Sequence, residues 1–136
     1  MNELAIGHQG ALKFRVEGTL CNPQGTIDYV TVTAELQGLL ASKNVYDFDG
    51  WSGLPFFFEE LALNWRGWDG DKTFDSLEGD FRLSAKHDGH VRVTFELRDS
   101  DCPTPWTATG ELSLDPGEEL AAAAESLRGL LAISKA

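Results

Sequence analysis

The segment from Phe81 to Leu97 constrains the fold most, because apolar and polar side chains alternate along it in two blocks. A period of two residues is typical of a β-strand with one buried face. A two-residue turn at Asp88-Gly89 between the blocks would place their apolar rows on opposite faces of the sheet. Because the buried face fixes the register, we predict a three-residue loop that sets His87 opposite Val91.

The same alternation predicts strands elsewhere in the chain. They cover residues 12–20, 30–36 and 106–114, and a less regular stretch continues over residues 39–48. Gly38 is expected to mark a bulge before that stretch. On the meander formed by residues 81–114, the face opposite the apolar rows begins with Asp80 and Arg82. We expect this face to be solvated and to carry cross-strand ion pairs.

Two segments have the period of amphipathic helices. The first predicted helix has one apolar stripe, made of Leu54, Phe57, Phe58, Leu61, Ala62 and Trp65. The second helix is predicted to begin with Asp115 as N-cap, Pro116 as its first residue and Glu118 closing a capping box. Together these elements predict a single α+β domain over residues 1–136, with one antiparallel sheet of about six strands and two helices packed on one face.

The charge balance narrows the classes of partner. Eleven Lys and Arg face 22 Asp and Glu, a formal net charge of −11. Such a surface repels nucleic acids and anionic membranes and attracts a basic protein, although the same charge also serves solubility alone. The start of the chain shows no signal-peptide pattern and no apolar run is long enough to span a membrane, so we expect a cytoplasmic protein. Cys21 and Cys102 are then expected to be free thiols.

The sequence "NWRGWDGDK", residues 64–72, has two interpretations. In the favoured one it is structural: Gly67 ends the first helix as its C′ residue, Trp65 belongs to the buried stripe, and Trp68 packs back on the last helical turn. In the other, Arg66, Trp68 and Asp69 form an exposed recognition surface, since Trp and Arg are common at interface hot spots.

Metal and catalytic chemistry have little support in the sequence. The acidic residues between Asp69 and Asp80 do not have EF-hand spacing, because Phe74 stands where the loop requires glycine. The histidines lack an evident third zinc ligand. For acid–base catalysis the one hint is Asp47 and Asp49 beside Trp51. We therefore predict no catalytic residue, no metal and no cofactor.

A longer run supports a family assignment. Residues 58–98 contain W-R-G-W-x-G at the end of a helix, then "SLEG", then D-G-H-V at a hairpin. This run resembles a family of small bacterial proteins, common in actinobacteria, that is described only as a domain of unknown function. The arrangement is also similar, more loosely, to WapI-type immunity proteins of polymorphic toxin systems. The resemblance implies a fold and a cellular context, and it assigns no catalytic residues.

Three functions remain open. The favoured one is a non-enzymatic protein-binding module, an immunity-like protein that occludes a basic toxin or another protein partner. Its expected contact residues are Arg66, Trp68, Asp69 and Asp71, together with Asp47, Asp49 and Trp51. The alternative is a small-molecule-binding protein or an enzyme with a pocket near Trp51 and Trp68. The third is self-association as a homodimer through an exposed sheet face.

Overall fold

The computed structural model describes residues 3–7, 9–16, 29–47 and 51–132. Ten elements lie in this part of the chain. In order they are β1 (Glu3–Ile6), β2 (Ala11–Val16), β3 (Tyr29–Leu36), β4 (Leu39–Tyr46), α1 (Gly53–Leu63), β5 (Lys72–Asp75), β6 (Phe81–His87), β7 (Val91–Asp99), β8 (Trp106–Leu114) and α2 (Glu118–Ala132).

The strands form two antiparallel sheets of four, in the orders β1-β2-β3-β4 and β5-β6-β7-β8. The α+β class is confirmed, but the prediction of one sheet of about six strands with both helices on one face is wrong. The helix α1 separates β4 from β5, and each half of the chain pairs within itself. The sequence "CNPQG", residues 21–25, is typical of a turn after the first predicted strand, and it lies outside the described residues.

One core joins the two sheets and the two helices. The buried side of each sheet contributes every second residue, for example Phe14 of β2 and Phe81 of β6, whose ring centroids are 5.8 Å apart. α1 packs against α2 and β5, and α2 also contacts β1. Facing sheets can share a core in this way because each has only one apolar face to bury.

The ladders fix the register of both sheets. His87 pairs with Val91 across a three-residue loop, in which the Asp88 N–H donates to the His90 carbonyl (3.0 Å). This prediction is therefore confirmed. Gly38, predicted to mark a bulge, instead lies with Gln37 in the two-residue turn between β3 and β4, with φ at 81°.

The outer face of the second sheet is solvated and charged, as the alternation predicts. Arg82 stands directly opposite Glu96, with their charged groups 4.0 Å apart. On the inner face, Gly110 interrupts β8 because there is no room for a side chain: an added Cβ would lie 2.7 Å from the ring of Phe95. A glycine within a strand often marks such a close approach.

The helices begin and end differently from the prediction. α1 ends at Leu63 with Asn64 as its C-cap, so Gly67 is not its C′ residue and the helix stops short of Trp65. α2 begins at Glu118, after a turn in which the Asp115 carboxylate accepts the Gly117 N–H (2.7 Å). The Asp115 N–H donates to Glu119 (2.8 Å), so Glu119 rather than Glu118 completes the reciprocal cap.

A surface ion pair connects the two helices. The guanidinium of Arg128 on α2 donates two hydrogen bonds to the carboxylate of Glu59 on α1. The hydrogen bond from Arg128 lowers the pKa of Glu59 below its ordinary value. Neither helix in the described part of the chain combines the length and the apolar character needed to cross a lipid bilayer.

Candidate functional site: the tryptophan corner at the end of α1

The segment after α1 forms a rigid turn. We call residues 65–68, with Lys72 and His87 that pack against them, the tryptophan corner. Asn64 closes the helix by donating its side-chain amide and its N–H to the Glu60 carbonyl (2.9 and 3.1 Å). The Gly67 N–H then donates to the Asn64 carbonyl (2.9 Å), and Gly67 has a φ of 139°, a region that favours glycine. The chain therefore turns sharply here.

His87 at the end of β6 joins the corner to the sheet. Its Nε2 lies 2.8 Å from the Trp65 carbonyl, and its Nδ1 lies 3.3 Å from the Gly89 N–H. An N–H can only donate, so Nδ1 must accept and Nε2 must carry the ring proton. This neutral tautomer satisfies both hydrogen bonds at once and holds the Trp65 backbone against the β6–β7 hairpin.

Trp68 is anchored to the second sheet. Its indole N–H donates to the Ala85 carbonyl (3.1 Å), and its ring meets His87 edge to face at 5.2 Å between centroids. The ammonium of Lys72 lies 5.9 Å from the same ring. These contacts anchor Trp68 to β6 and β5, and its packing on the last turn of α1 stays a prediction. The indole is half-buried, and its only polar atom is satisfied.

Trp65 and Arg66 are exposed. Trp65, predicted in the buried stripe, is 50% exposed because α1 ends before it, and the Arg66 guanidinium lies 5.0 Å from its ring centroid. Two more apolar side chains project from α1 itself, Phe56 (59% exposed) and Leu63 (82%). They are seven residues apart and so share one helix face. We call Phe56, Leu63 and Trp65 the apolar stripe of α1.

Acidic residues border this surface. Asp69 and Asp71, two of the predicted contact residues, are both exposed in the turn that follows the corner. Lys72 lies 3.6 Å from the Glu60 carboxylate and so ties β5 to the outer side of α1. Four of the seven predicted contact residues, Arg66, Trp68, Asp69 and Asp71, therefore lie together at one end of α1.

Asp47 and Trp51 lie in a different place. Trp51 is fully buried between Phe74 and Phe81, at 6.4 and 6.5 Å between ring centroids. Asp47 is also buried, and its carboxylate accepts the Leu77 N–H (3.1 Å). Both precede α1, whose 11 residues span about 16 Å, so they are far from the corner at its other end. Asp49 lies outside the described residues.

A buried polar network near Asp47 was missed by the sequence reasoning. Asp80, predicted on the solvated face, is buried and accepts hydrogen bonds from the Lys43 ammonium and the Ser76 hydroxyl, each at 2.7 Å. The Ser76 hydroxyl in turn accepts the Phe81 N–H (3.1 Å). The sequence could have indicated that Lys43 points inward. Lys43 and Val45 are two residues apart on β4 and so lie on the same face, and Val45 faces the core.

This network connects the two sheets and shifts the pKa of Lys43. Burial alone would lower the pKa of Lys43, but the hydrogen bond and the negative charge of Asp80 outweigh it, and the pKa of Lys43 is raised. Lys43 comes from β4 of the first sheet and Asp80 from the turn before β6 of the second. The pair is therefore an electrostatic bridge between the sheets, and it accounts for both charges without a ligand.

The fold and the corner define a class of protein: a small α+β protein with an exposed apolar surface that acidic residues border. These features assign no chemical reaction to it. The chain belongs to a family of unknown function (DUF6228), whose model matches residues 7–134. The sequence-based assignment to a domain-of-unknown-function family is thereby confirmed. No curated protein and no solved structure matches the chain significantly.

Proposed function

We propose that this protein is a binding module whose contact surface is the apolar stripe of α1 together with the exposed part of the tryptophan corner. The observation that carries the proposal is the exposure of Phe56 and Leu63 along one face of α1, and of Trp65 just after its end, on a helix whose other face is buried. Large apolar side chains grouped on a surface mark sites of association more often than scattered ones.

The rigidity of the corner supports the proposal. Trp65 is fixed through its carbonyl by His87, and Trp68 is fixed through its indole by Ala85. A surface whose backbone is already ordered loses less conformational entropy on binding. Trp and Arg also dominate interface hot spots, and here Trp65 and Arg66 are adjacent, stacked and exposed.

The charge supports a basic protein as the partner. The chain carries a net charge of −11, and the exposed carboxylates of Asp69 and Asp71 border the stripe. Acidic rims steer basic partners and raise the association rate, while a buried apolar centre supplies most of the affinity. One form of this proposal is an immunity-like role, in which the acidic protein covers a basic toxin. This form agrees with the looser similarity of the sequence to WapI-type immunity proteins.

Co-expression with the products of adjacent reading frames tests the proposal. The tagged full-length chain would be purified with each product and washed at low and at high salt. We expect one basic product to remain bound at low salt and to be released in part at high salt. At 0.1 M salt, exposed charges more than about 10 Å apart are already largely screened, and more salt shortens this range.

Two outcomes would count against it. If no neighbouring product binds, the immunity-like form of the proposal fails. If a product binds with an affinity that Trp65→Ala and Arg66→Ala leave unchanged, the contact surface lies elsewhere. The matched control is Tyr29→Ala, which removes an aromatic side chain that is 42% exposed on β3.

A further inference from the structure

The outer face of the second sheet carries several positive charges among its acidic residues. Four of the chain's 11 Lys and Arg residues project from it: Arg82, Lys86, Arg92 and Arg98. Two of them have ion-pair partners. Arg82 lies 3.2 Å from Asp75 and 4.0 Å from Glu96, and Arg92 lies 3.3 Å from Asp88.

Two of these arginines converge beside Gly79. A methyl group added to Gly79 would lie 3.4 Å from the Nη2 atom of Arg82 and 3.4 Å from that of Arg98. The two Nη2 atoms are therefore no more than twice that distance apart. Gly79 leaves the space between them open, and its φ of 73° favours glycine at this turn. Two guanidinium groups at this separation can donate to different oxygens of one oxyanion.

The charges around the pair are unequally compensated. Asp75 and Glu96 neutralise Arg82, whereas the Arg98 guanidinium makes no ion pair or hydrogen bond with any described residue. Glu78 and Asp99, which neighbour Gly79 and Arg98 in sequence, add negative charge near the pair. Arg98 is half-buried, so its unpaired charge sits next to a like charge with limited access to water.

A shallow groove lies beside Arg82. Of the two arginines only Arg82 lines it, and its surface is mostly apolar. It has a volume of about 400 Å³, and its polar lining residues include Ser84, Thr94 and Thr109 together with the acidic Asp75 and Glu96. Its hydroxyl groups can each donate to an oxygen of a ligand. Arg82 and His87 of the tryptophan corner are five residues apart on β6, about 16 Å along the strand.

We propose that Arg82 and Arg98, on either side of Gly79, bind a small oxyanion, either a phosphate or a carboxylate group, at the edge of this groove. Guanidinium groups recognise both because their paired N–H groups match the oxygens. The net charge of −11 opposes long-range attraction of an anion, so the affinity rests on these direct contacts and is expected on the order of millimolar. This site does not depend on the proposed protein-binding surface.

Titration of inorganic phosphate into the full-length protein tests the site, with acetate as a second arm and chloride at matched ionic strength as the reference. The readouts are the arginine Nε–Hε NMR signals and the apparent Tm. At a ligand concentration ten times the Kd, linkage predicts that Tm rises by roughly 4–6 °C over the chloride reference. The arm that saturates at the lower concentration identifies the preferred oxyanion.

Arg98→Gln and Arg92→Gln form the matched pair of variants, since both residues project from the outer face of β7. We expect Arg98→Gln to abolish saturable shifts and Arg92→Gln to retain them. Arg82→Gln is the second variant if Arg98→Gln does not fold, and it should weaken binding at least fivefold. The proposal is overturned if neither anion gives saturable shifts in the unmodified protein, or if the Arg98 or Arg82 variant binds as tightly as the Arg92 variant.

Discussion

Replacement of Asp80 by asparagine probes the bridge between the two sheets. The Lys43 side chain is only 16% exposed and that of Asp80 only 8%, and their charged groups are 2.7 Å apart. Removing one partner of a fully buried pair costs about 3–5 kcal/mol, because a buried charge is left uncompensated. Lys43 retains some exposure and a flexible stem that can reach water, so we expect a loss of about 2–4 kcal/mol for Asp80→Asn.

Equilibrium unfolding in urea at neutral pH measures this loss, and a double-mutant cycle assigns it. Lys43→Met removes the buried ammonium while keeping its stem. If the bridge is the cause, Asp80→Asn should cost about 1–3 kcal/mol less in the Lys43→Met background than in the unmodified chain. The reasoning is refuted if Asp80→Asn costs less than about 0.5 kcal/mol, or if the two changes are additive within about 0.5 kcal/mol.

Two further predictions test the same fold. The pKa of Lys43 is raised above 10.5, so its stabilising contribution is fully present below that pH and is lost as pH rises through the folded-state value. The difference in unfolding free energy between the unmodified chain and Lys43→Met should therefore stay constant up to about pH 10 and shrink only above it. A decrease in this difference that begins near neutral pH would contradict the prediction. Gly110→Ala should destabilise the protein by about 1–3 kcal/mol in urea unfolding, because its Cβ would lie 2.7 Å from the Phe95 ring. Gly129→Ala is the control, since a Cβ added at Gly129 meets nothing within 4 Å. This change should stabilise α2 by about 0.5–1 kcal/mol. Equal effects of the two changes on the free energy of unfolding would show that the packing around Gly110 is misassigned.

Local sequence pattern predicted the second sheet well. The alternation from Phe81 to Leu97 identified β6 and β7, and the need to bury one face fixed His87 opposite Val91. Both inferences depend only on side chains that are neighbours in sequence or across one hairpin. The helices were found for the same reason, since an apolar stripe is a local pattern.

The division into two sheets was not predictable in this way. β1 and β5 have four residues each, too few for an alternation to stand out, and β5 lies in a segment that reads as an acidic loop. Which strands pair is also a long-range property. Residues 17–28, which lie between β2 and β3, are outside the described residues, so the outcome for the end of the first predicted strand stays open.

The candidate site was predicted in part. Arg66, Trp68, Asp69 and Asp71 lie together because they are close in sequence. Trp65 was placed in the core because its spacing continues the apolar stripe, and only the early end of α1 at Leu63 exposes it. Composition alone could not separate the buried Trp51 from the exposed Trp65, since burial depends on where the chain turns.

The most direct measurement of the proposed contact surface compares Leu63→Ser with Leu40→Ser by calorimetry against the partner found in co-expression. Both leucines are highly exposed, at 82% and 72%, but Leu40 lies on β4 of the first sheet and not on α1. If the apolar stripe is the contact, Leu63→Ser should weaken binding by about 1–2 kcal/mol, roughly 5- to 30-fold in Kd, and Leu40→Ser should leave it unchanged. Equal affinities for the two variants, or a loss at Leu40 alone, would contradict a binding surface at the end of α1.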